Sequence, residues 1–432
     1  MMNWRYILMA CCLLAAGCKA RQERVVFGSG EIGSVLSKMT EVMVHDVTNP
    51  PLAARFFAYA SLAGYEIVSR HDSAAGTMKG VLNGYPDIAF APPAGYDYQL
   101  AALLAMTRTA ARMQPSGGEI RAFEKQLLDS LRNAGVSPEM IGASGEYADS
   151  VVAAILRYAK ADGYNRISNY PRYEPRQAEG QWYPTPPAYM AAVEPYFNRV
   201  RPFTLDSAQQ FKSEAPIPFS ADPHSAFFQL MELNYKDSLT AETGAIAEFW
   251  DCNPFAVENR GHLMSAVKKI SPGAHWLGIT AIACKQAGKG FDESMKIFTG
   301  VSVTMTDAFI SCWDEKFRSN RIRPETAIRK YIDPGWQPLL QTPPFPEYTS
   351  GHSVVSAAVA TVLTGYFGEG FAYTDDVEVP YGLPARKYAS FAHAMDEAAI
   401  SRFYGGIHFM DAIENGKRQG SRIGIWAMGK LK

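Results

Sequence analysis

The sequence predicts an all-α fold, and three observations carry that expectation. Apolar residues recur with helical rather than strand-like period along most of the chain. The 432 residues, 47% of them hydrophobic, suffice to bury a core between more than one helical layer. In the last helix Gly416, Gly420 and Gly424 recur at four-residue spacing, a stripe that lets another helix approach closely.

From the N-terminus, the segment MMNWRYILMACCLLAAGCKA places one positive charge, Arg5, ahead of eleven apolar residues from Tyr6 to Ala16 and then Gly17-Cys18. It is too short to span a bilayer comfortably, and small residues before a cysteine resemble a bacterial lipoprotein signal. Residues 1–17 are therefore expected to be removed and Cys18 to carry lipid; an ordinary secretory signal with an incidental cysteine is the alternative. The expected mature protein is a soluble body on a lipid anchor in the bacterial cell envelope, periplasmic or at the outer membrane.

Helical patterns follow over Glu31 to His45, Leu52 to Val68, Tyr98 to Arg112, Gly118 to Ala134 and Gly145 to Ala161. From Asn165 to Pro223 the texture changes to prolines and aromatics, which forbid long helices and need burial; the expectation is a long ordered loop wrapping the surface. Helices resume at Ser225, with Thr240 as an N-cap, and the last begins near Asp411. A boundary near residue 220 would separate an N-terminal helical half, 25–220, from a C-terminal half, 221–432; one continuous domain fits the pattern equally well.

The formal charge is -1 and no arginine-rich run occurs, which argues against a nucleic-acid partner; affinity for an anion must come from a local arrangement. Beyond the signal only Cys252, Cys284 and Cys312 remain, without C-x-x-C spacing, and they read as buried small hydrophobes.

Three clusters concentrate chemistry. In EKFRSNRIRPE, Lys316 and Arg323 are seven apart, almost two helical turns, so both cations leave one face, and Pro324 tends to end the helix at Arg323. In PPFPEYTSGHSVVS, Thr349 or Ser350 can cap a helix, Gly351 opens its first backbone N–H groups to a ligand, and His352 stands where it can exchange a proton. In ISRFYGGIHFMDAIENG, Arg402 adds a third cation, Gly405-Gly406 breaks a helix, and His408 sits on the turn or at the start of the final helix. Asp411, three residues on, can orient that imidazole if His408 is already helical. Taken singly, each has a structural reading as a solvated face, a plain helix cap or a satisfied core histidine. Together they hold three cations, a helix N-terminus and two histidines, an inventory that fits a tetrahedral oxyanion.

In this order the clusters resemble the signature of the type 2 phosphatidic acid phosphatase superfamily, which includes the vanadium-dependent haloperoxidases and bacterial acid phosphatases. That pattern is Lys, six residues, Arg-Pro; Pro-Ser-Gly-His; and Ser-Arg, five residues, His, three residues, Asp. Here Thr349 stands in place of Pro, and Asp411 comes one residue early. The resemblance implies helical bundles of that type. It also implies that Lys316, Arg323, Ser350, Gly351 and Arg402 hold the oxyanion, that His352 is the general acid/base, and that His408 is the vanadate ligand or the phosphate-accepting nucleophile. TDAFISCWDEKFRSNRIRPETAI and the GQWYPTPPAYMAAVEPYFNRVRPF loop look most like the haloperoxidase branch. That branch implies vanadate as cofactor, with peroxide and a halide as substrates, and no metal beyond vanadate at His408. A phosphatase would act on a phosphomonoester through a phosphohistidine on His408 and require no cofactor. Membrane lipid phosphatases of the superfamily carry six spanning helices, and no such apolar runs occur here.

Two other readings compete. His45-Asp46 and His71-Asp72 suggest a metal phosphohydrolase, but neither pair has companion ligands, and structural roles fit them better. The aromatic loop, with Trp182, Tyr183, Tyr189 and Tyr196, suggests a non-enzymatic lipid-anchored binding protein, although proline and tyrosine at this density more often fix a loop.

Overall fold

A computed structural model describes residues 26–176, 178–186, 188–260, 263–266 and 268–431. The expected export signal and Cys18 lie outside them. Among the described residues are fourteen α-helices and two short antiparallel hairpins. The helices are α1 (Ser29–His45), α2 (Pro50–His71), α3 (Tyr98–Met113), α4 (Gly117–Asn133), α5 (Pro138–Lys160), α6 (Tyr164–Ile167), α7 (Ala226–Lys236), α8 (Ala241–Phe249), α9 (Pro272–Gln286), α10 (Phe291–Ser319), α11 (Pro324–Tyr331), α12 (Gly351–Phe367), α13 (Phe391–Tyr404) and α14 (Met410–Leu431). The hairpins pair β1 (Val257–Arg260) with β2 (Leu263–Ala266) and β3 (Tyr373–Asp375) with β4 (Arg386–Tyr388).

Local sequence explains the helix starts. The side chains of Asn49, Asp97, Ser137, Ser225, Thr240, Ser271 and Ser390 each accept from a backbone N–H of the first turn. Proline follows the cap in α2, α5 and α9, where a missing N–H costs nothing. The fifth helix starts seven residues before the expected Gly145 because Ser137-Pro138 forms such a cap.

One apolar core runs from Phe27 to Leu431. Helix α10 is its axis: α2, α9, α12 and α14 all pack on it. Along 29 residues it is buried almost throughout, including Asp307, whose carboxylate accepts from the backbone N–H groups of Phe203, Thr204 and Leu205 and from the Thr204 hydroxyl. Burial pushes the Asp307 carboxyl up to about 6. Those bonds moor the proline-rich segment to the core, as do Trp182 N–H to the Asn320 carbonyl at 2.8 Å and the Trp313 indole to the Val193 carbonyl at 3.1 Å. The long loop therefore wraps the end of α10, as its aromatics require.

The glycine stripe packs as expected. Helix α14 lies so close to α12 that a Cβ at Gly416, Gly420 or Gly424 would stand 3.1, 2.1 and 2.6 Å from the carbonyl oxygens of Ser350, Val354 and Ala358. No helix of the described residues is long and apolar enough to cross a membrane. Cys252, Cys284 and Cys312 are buried free thiols. Cys284 and Cys312 fit the expected role of small hydrophobes; Cys252 does not, because it faces His275 and Glu378.

Candidate oxyanion site

Lys316 and Arg323 come together by a different route from the one their spacing suggests. Helix α10 ends at Ser319, Asn320 turns the chain in a left-handed conformation with φ 49°, and Arg323 is already extended as the residue before Pro324 opens α11. The two cations do not share a helix face; the turn folds them toward each other. The Lys316 ammonium donates to the carbonyls of Pro346 (3.1 Å), Glu347 (3.0 Å) and Thr349 (2.5 Å), which occupies its three N–H groups and staples the approach to α12. Burial pulls its pKa down to about 7. The Arg323 guanidinium donates to the Phe345 and Ile407 carbonyls, both at 2.9 Å, and its Nη1 lies 3.1 Å from His408 Nε2. Its Nη2 is buried with no hydrogen-bond partner among the described residues.

Ser350, not Thr349, caps α12: its hydroxyl accepts from Ser353 N–H at 3.3 Å. Gly351 and His352 are the first two helical residues, so no intrahelical carbonyl reaches their N–H groups. His352 is half-buried, its Nε2 is enclosed without a partner, and burial followed by the charge of Arg402 holds its pKa well below the usual histidine range.

His408 lies on the turn between α13 and α14. Gly405 and Gly406, the latter at φ 72°, press so tightly on Leu340, Pro338 and Trp336 that side chains there would collide. Its Nδ1 is 2.8 Å from Glu347 Oε1, which also accepts from Phe409 N–H at 3.0 Å. A carboxylate cannot donate, so Nδ1 carries the proton and Nε2 presents a lone pair toward Arg323 and the cavity. Burial, then the charges of Arg323 and Lys316, keep this imidazole neutral, with its pKa well below the usual value. Arg402 completes the ring, donating from Nη1 to the Trp250 carbonyl at 2.8 Å, while its Nε is buried without a partner.

Asp411 does not orient His408. Because α14 begins at Met410, His408 is not helical and the expected one-turn contact does not form. The Asp411 carboxylate instead receives two hydrogen bonds from Arg321, at 2.5 and 2.7 Å, and Arg321 also binds Glu347 through Nε at 2.7 Å. The chain His408, Glu347, Arg321, Asp411 replaces the expected pair, with Asp411 two partners removed from the imidazole. Sequence reasoning missed Glu347 and Arg321. The available signal was an acid inside the apolar run PPFPEY, which can be buried only if it is paired.

Gly351, His352, Arg402 and His408 line one cavity together with the apolar residues Phe309, Trp313, Pro343 and Phe345. Arg323 Nη2, Arg402 Nε and His352 Nε2 are three buried polar atoms without partners in this ring, two of them cationic donors. Buried donors are rarely left unpaired in proteins, and a compact oxyanion supplies the missing acceptors.

The competing features resolve as structure. His45 bonds to Asp46 at the surface, and Asp46 accepts from Ser116; His71 stacks on Tyr98 at 3.6 Å. Trp182 is buried, whereas Tyr183 and Tyr189 are exposed.

A family model described as the VCPO second helical-bundle domain matches residues 296–432, the part that carries all three clusters. Over 95% of this chain and 99% of the other, the structure superposes on a bacterial vanadium-dependent iodoperoxidase with TM-score 0.89 and 42% identity. The holo and apo forms of a bacterial vanadium-dependent chloroperoxidase match at TM-scores 0.67 and 0.65, with 16% and 15% identity, over 89% of this chain and 93% and 95% of theirs; they share the fold. No curated protein sequence matches the chain.

Proposed function

The chain belongs to the vanadium-dependent haloperoxidase family and is a haloperoxidase-like enzyme, and from that premise we propose that it takes up vanadate at His408 and oxidises iodide with hydrogen peroxide. The observation that supports the cofactor is a set of partnerless buried atoms: Arg402 Nε and His352 Nε2, on residues that line the cavity with His408, and Arg323 Nη2, on the guanidinium that bonds His408. Arg323, Arg402 and the N–H groups of Gly351 and His352 would hold the oxygens. Lys316 would contribute positive charge and a fixed turn, and Ser350 would keep the helix end in register. His408 Nε2 would face the central atom, its tautomer set by Glu347. Bound vanadate supplies the Lewis acidity that makes peroxide an oxidant of halide.

His352 is suited to proton transfer. Its depressed pKa leaves it neutral at pH 7, able to accept a proton from peroxide and return it to the departing oxygen. Phe309, Trp313 and Phe345 give the cavity an apolar lining. A halide entering there loses hydration, which costs least for the largest ion, and the likeness to an iodoperoxidase supports iodide on independent grounds.

The test is turnover of iodide, bromide and chloride by purified protein loaded with vanadate and peroxide, beside a phosphomonoester. Iodide oxidation that depends on vanadate, with bromide and chloride slower, is expected. Ester hydrolysis blocked by vanadate, without halide oxidation, would overturn the reading and leave a phosphatase working through His408.

For residues 1–18, export and lipid attachment at Cys18 remain our proposal, supported by the charge, apolar run and Gly17-Cys18 junction; substrates would then reach the enzyme outside the cytoplasm. Labelling with a fatty acid in cells, lost in a Cys18→Ser variant, checks it, and equal labelling of both would refute it.

A further inference from the structure

Beside the oxyanion cavity lies a second buried cluster that haloperoxidase chemistry does not use. We propose that Cys252, His275 and Glu378 bind one divalent transition-metal ion of the zinc class, with Asp375 orienting His275.

The geometry carries the assignment. Cys252 Sγ is 3.6 Å from His275 Nδ1 and 3.8 Å from Glu378 Oε1, and His275 Nδ1 is 3.2 Å from the same oxygen. An ion with bonds of about 2.3 Å to sulfur and about 2.0 Å to nitrogen and oxygen, at tetrahedral angles, needs its donors about 3.3–3.6 Å apart. The three atoms therefore already stand close to three corners of such a tetrahedron. One thiolate, one imidazole and one carboxylate also make a donor set that zinc-class ions accept, leaving a fourth corner for water or another ligand.

The surroundings point the same way. His275 turns Nδ1 toward the cluster because its Nε2 is held by the Asp375 carboxylate at 2.8 Å, the outer-shell contact that fixes a metal-binding histidine. Asp375 is in turn held by Val377 N–H at 3.0 Å. Cys252, His275, Asp375 and Glu378 are all buried, and among the described residues this is the one group with metal-ligand spacing.

An ion there would fasten three distant parts of the chain: the turn after α8, the first turn of α9, and the loop between β3 and β4. The first part matters to the active site. The Trp250 ring stacks on His275 at 4.5 Å, the Trp250 carbonyl holds Arg402, and Cys252 itself lines the oxyanion cavity. The metal would act as a positioning element for Arg402.

The experiment is metal analysis of untagged protein purified without chelator from zinc-supplemented medium, with Co2+ exchange as an optical probe. About one zinc-class ion per chain is expected in addition to vanadium, together with the thiolate-to-cobalt absorption of a tetrahedral site after exchange. Cys252→Ser and Glu378→Gln should each weaken zinc binding by at least about tenfold, since losing an outer-shell partner alone costs about 10- to 100-fold in affinity. Wild-type protein that is folded by circular dichroism, yet carries no divalent ion and shows no cobalt–thiolate band, would overturn the site. So would full occupancy in both variants. Since wild-type protein alone can give the negative answer, misfolding of a variant does not shelter the proposal.

Discussion

His408 and His275 are both buried imidazoles with one nitrogen held by a carboxylate, Glu347 in one case and Asp375 in the other, both at 2.8 Å. They differ in what meets the second nitrogen. At His408 it is Arg323, within a ring of cations; at His275 it is Cys252 and Glu378. Burial would depress both pKa values. The cations reinforce that at His408, whereas at His275 the Asp375 carboxylate outweighs it and holds the value well above the usual range. One imidazole is thus held neutral with a lone pair on Nε2, and the other stands where positive charge is favoured. The same carboxylate–imidazole unit serves opposite ends because at His408 burial and the surrounding cations prevail over the carboxylate partner, whereas at His275 the partner, Asp375, prevails over burial.

The largest effect should come from destroying the electron-rich member of the pair. His408→Ala is expected to abolish bound vanadium and lower halide oxidation by at least about a thousandfold, read by metal analysis and turnover. Arg402→Ala removes one cation of the ring and should lower kcat by about a hundred- to a thousandfold. Retention of full activity in either variant would show that the pocket is elsewhere.

Glu347→Gln probes the shared unit directly. It keeps the shape but removes the charge that sets the His408 tautomer, so vanadate affinity should fall about 10- to 100-fold. It also leaves Arg321 with Asp411 as its one carboxylate partner, so stability should fall, visible as a lower denaturation midpoint, by less than the about 3–5 kcal/mol of a buried charge left unpaired.

The pH dependence of stability sharpens the contrast. Because the folded pKa values of His408 and His352 are depressed, the unfolded chain binds protons below about 6.5 that the native state refuses. Their contribution is fully present above that pH and is lost as pH falls toward the folded values, so thermal denaturation should move to lower temperature below about pH 6.5. A His352→Gln and His408→Gln double variant should flatten that acid limb; an unchanged slope would refute the depressed values.

The smallest effect is expected from Asp411→Asn. The change leaves the His408–Glu347 bond intact and weakens only the far end of the relay, so activity should fall less than about tenfold, well short of the Glu347 variant. Equal losses in the two would restore Asp411 to direct control of the histidine.

What was legible in the sequence and what was not follows from how far each feature acts. Helix caps such as Thr240 and Asn49 act within three residues, and their elements appear where local chemistry places them. The candidate oxyanion residues were legible as a set because cations, a helix start and two histidines stand in three short clusters, and the structure brings Gly351, His352, Arg402 and His408 to one cavity, with Arg323 bonded to His408. Their partners were not. Glu347 chooses His408, 61 residues away, only after α10 and α12 have packed, and Cys252 meets His275 and Glu378 across 23 and 126 residues. The Asp411 expectation failed on a local detail with a large consequence. A helix that starts two residues after His408 rather than at it points the carboxylate to Arg321.

The contact between α12 and α14 has a consequence for how this site can change. Three glycines rest on the carbonyls of Ser350, Val354 and Ala358, and the first of these belongs to the residue that caps α12. The Ser353, Ala357 and Thr361 side chains of α12 press on the same stripe, standing 2.9, 2.9 and 2.7 Å from where a Cβ on Gly416, Gly420 and Gly424 would lie, so the arm that carries His352 and the arm that follows His408 are held at close approach. At these glycines the smallest substitution is a methyl group that meets both an oxygen and a side chain, and it would force the two arms apart. Room for the cavity to change shape lies instead in the loop residues that line it, Cys252, Asn253, Pro254, Phe255, Pro343 and Phe345.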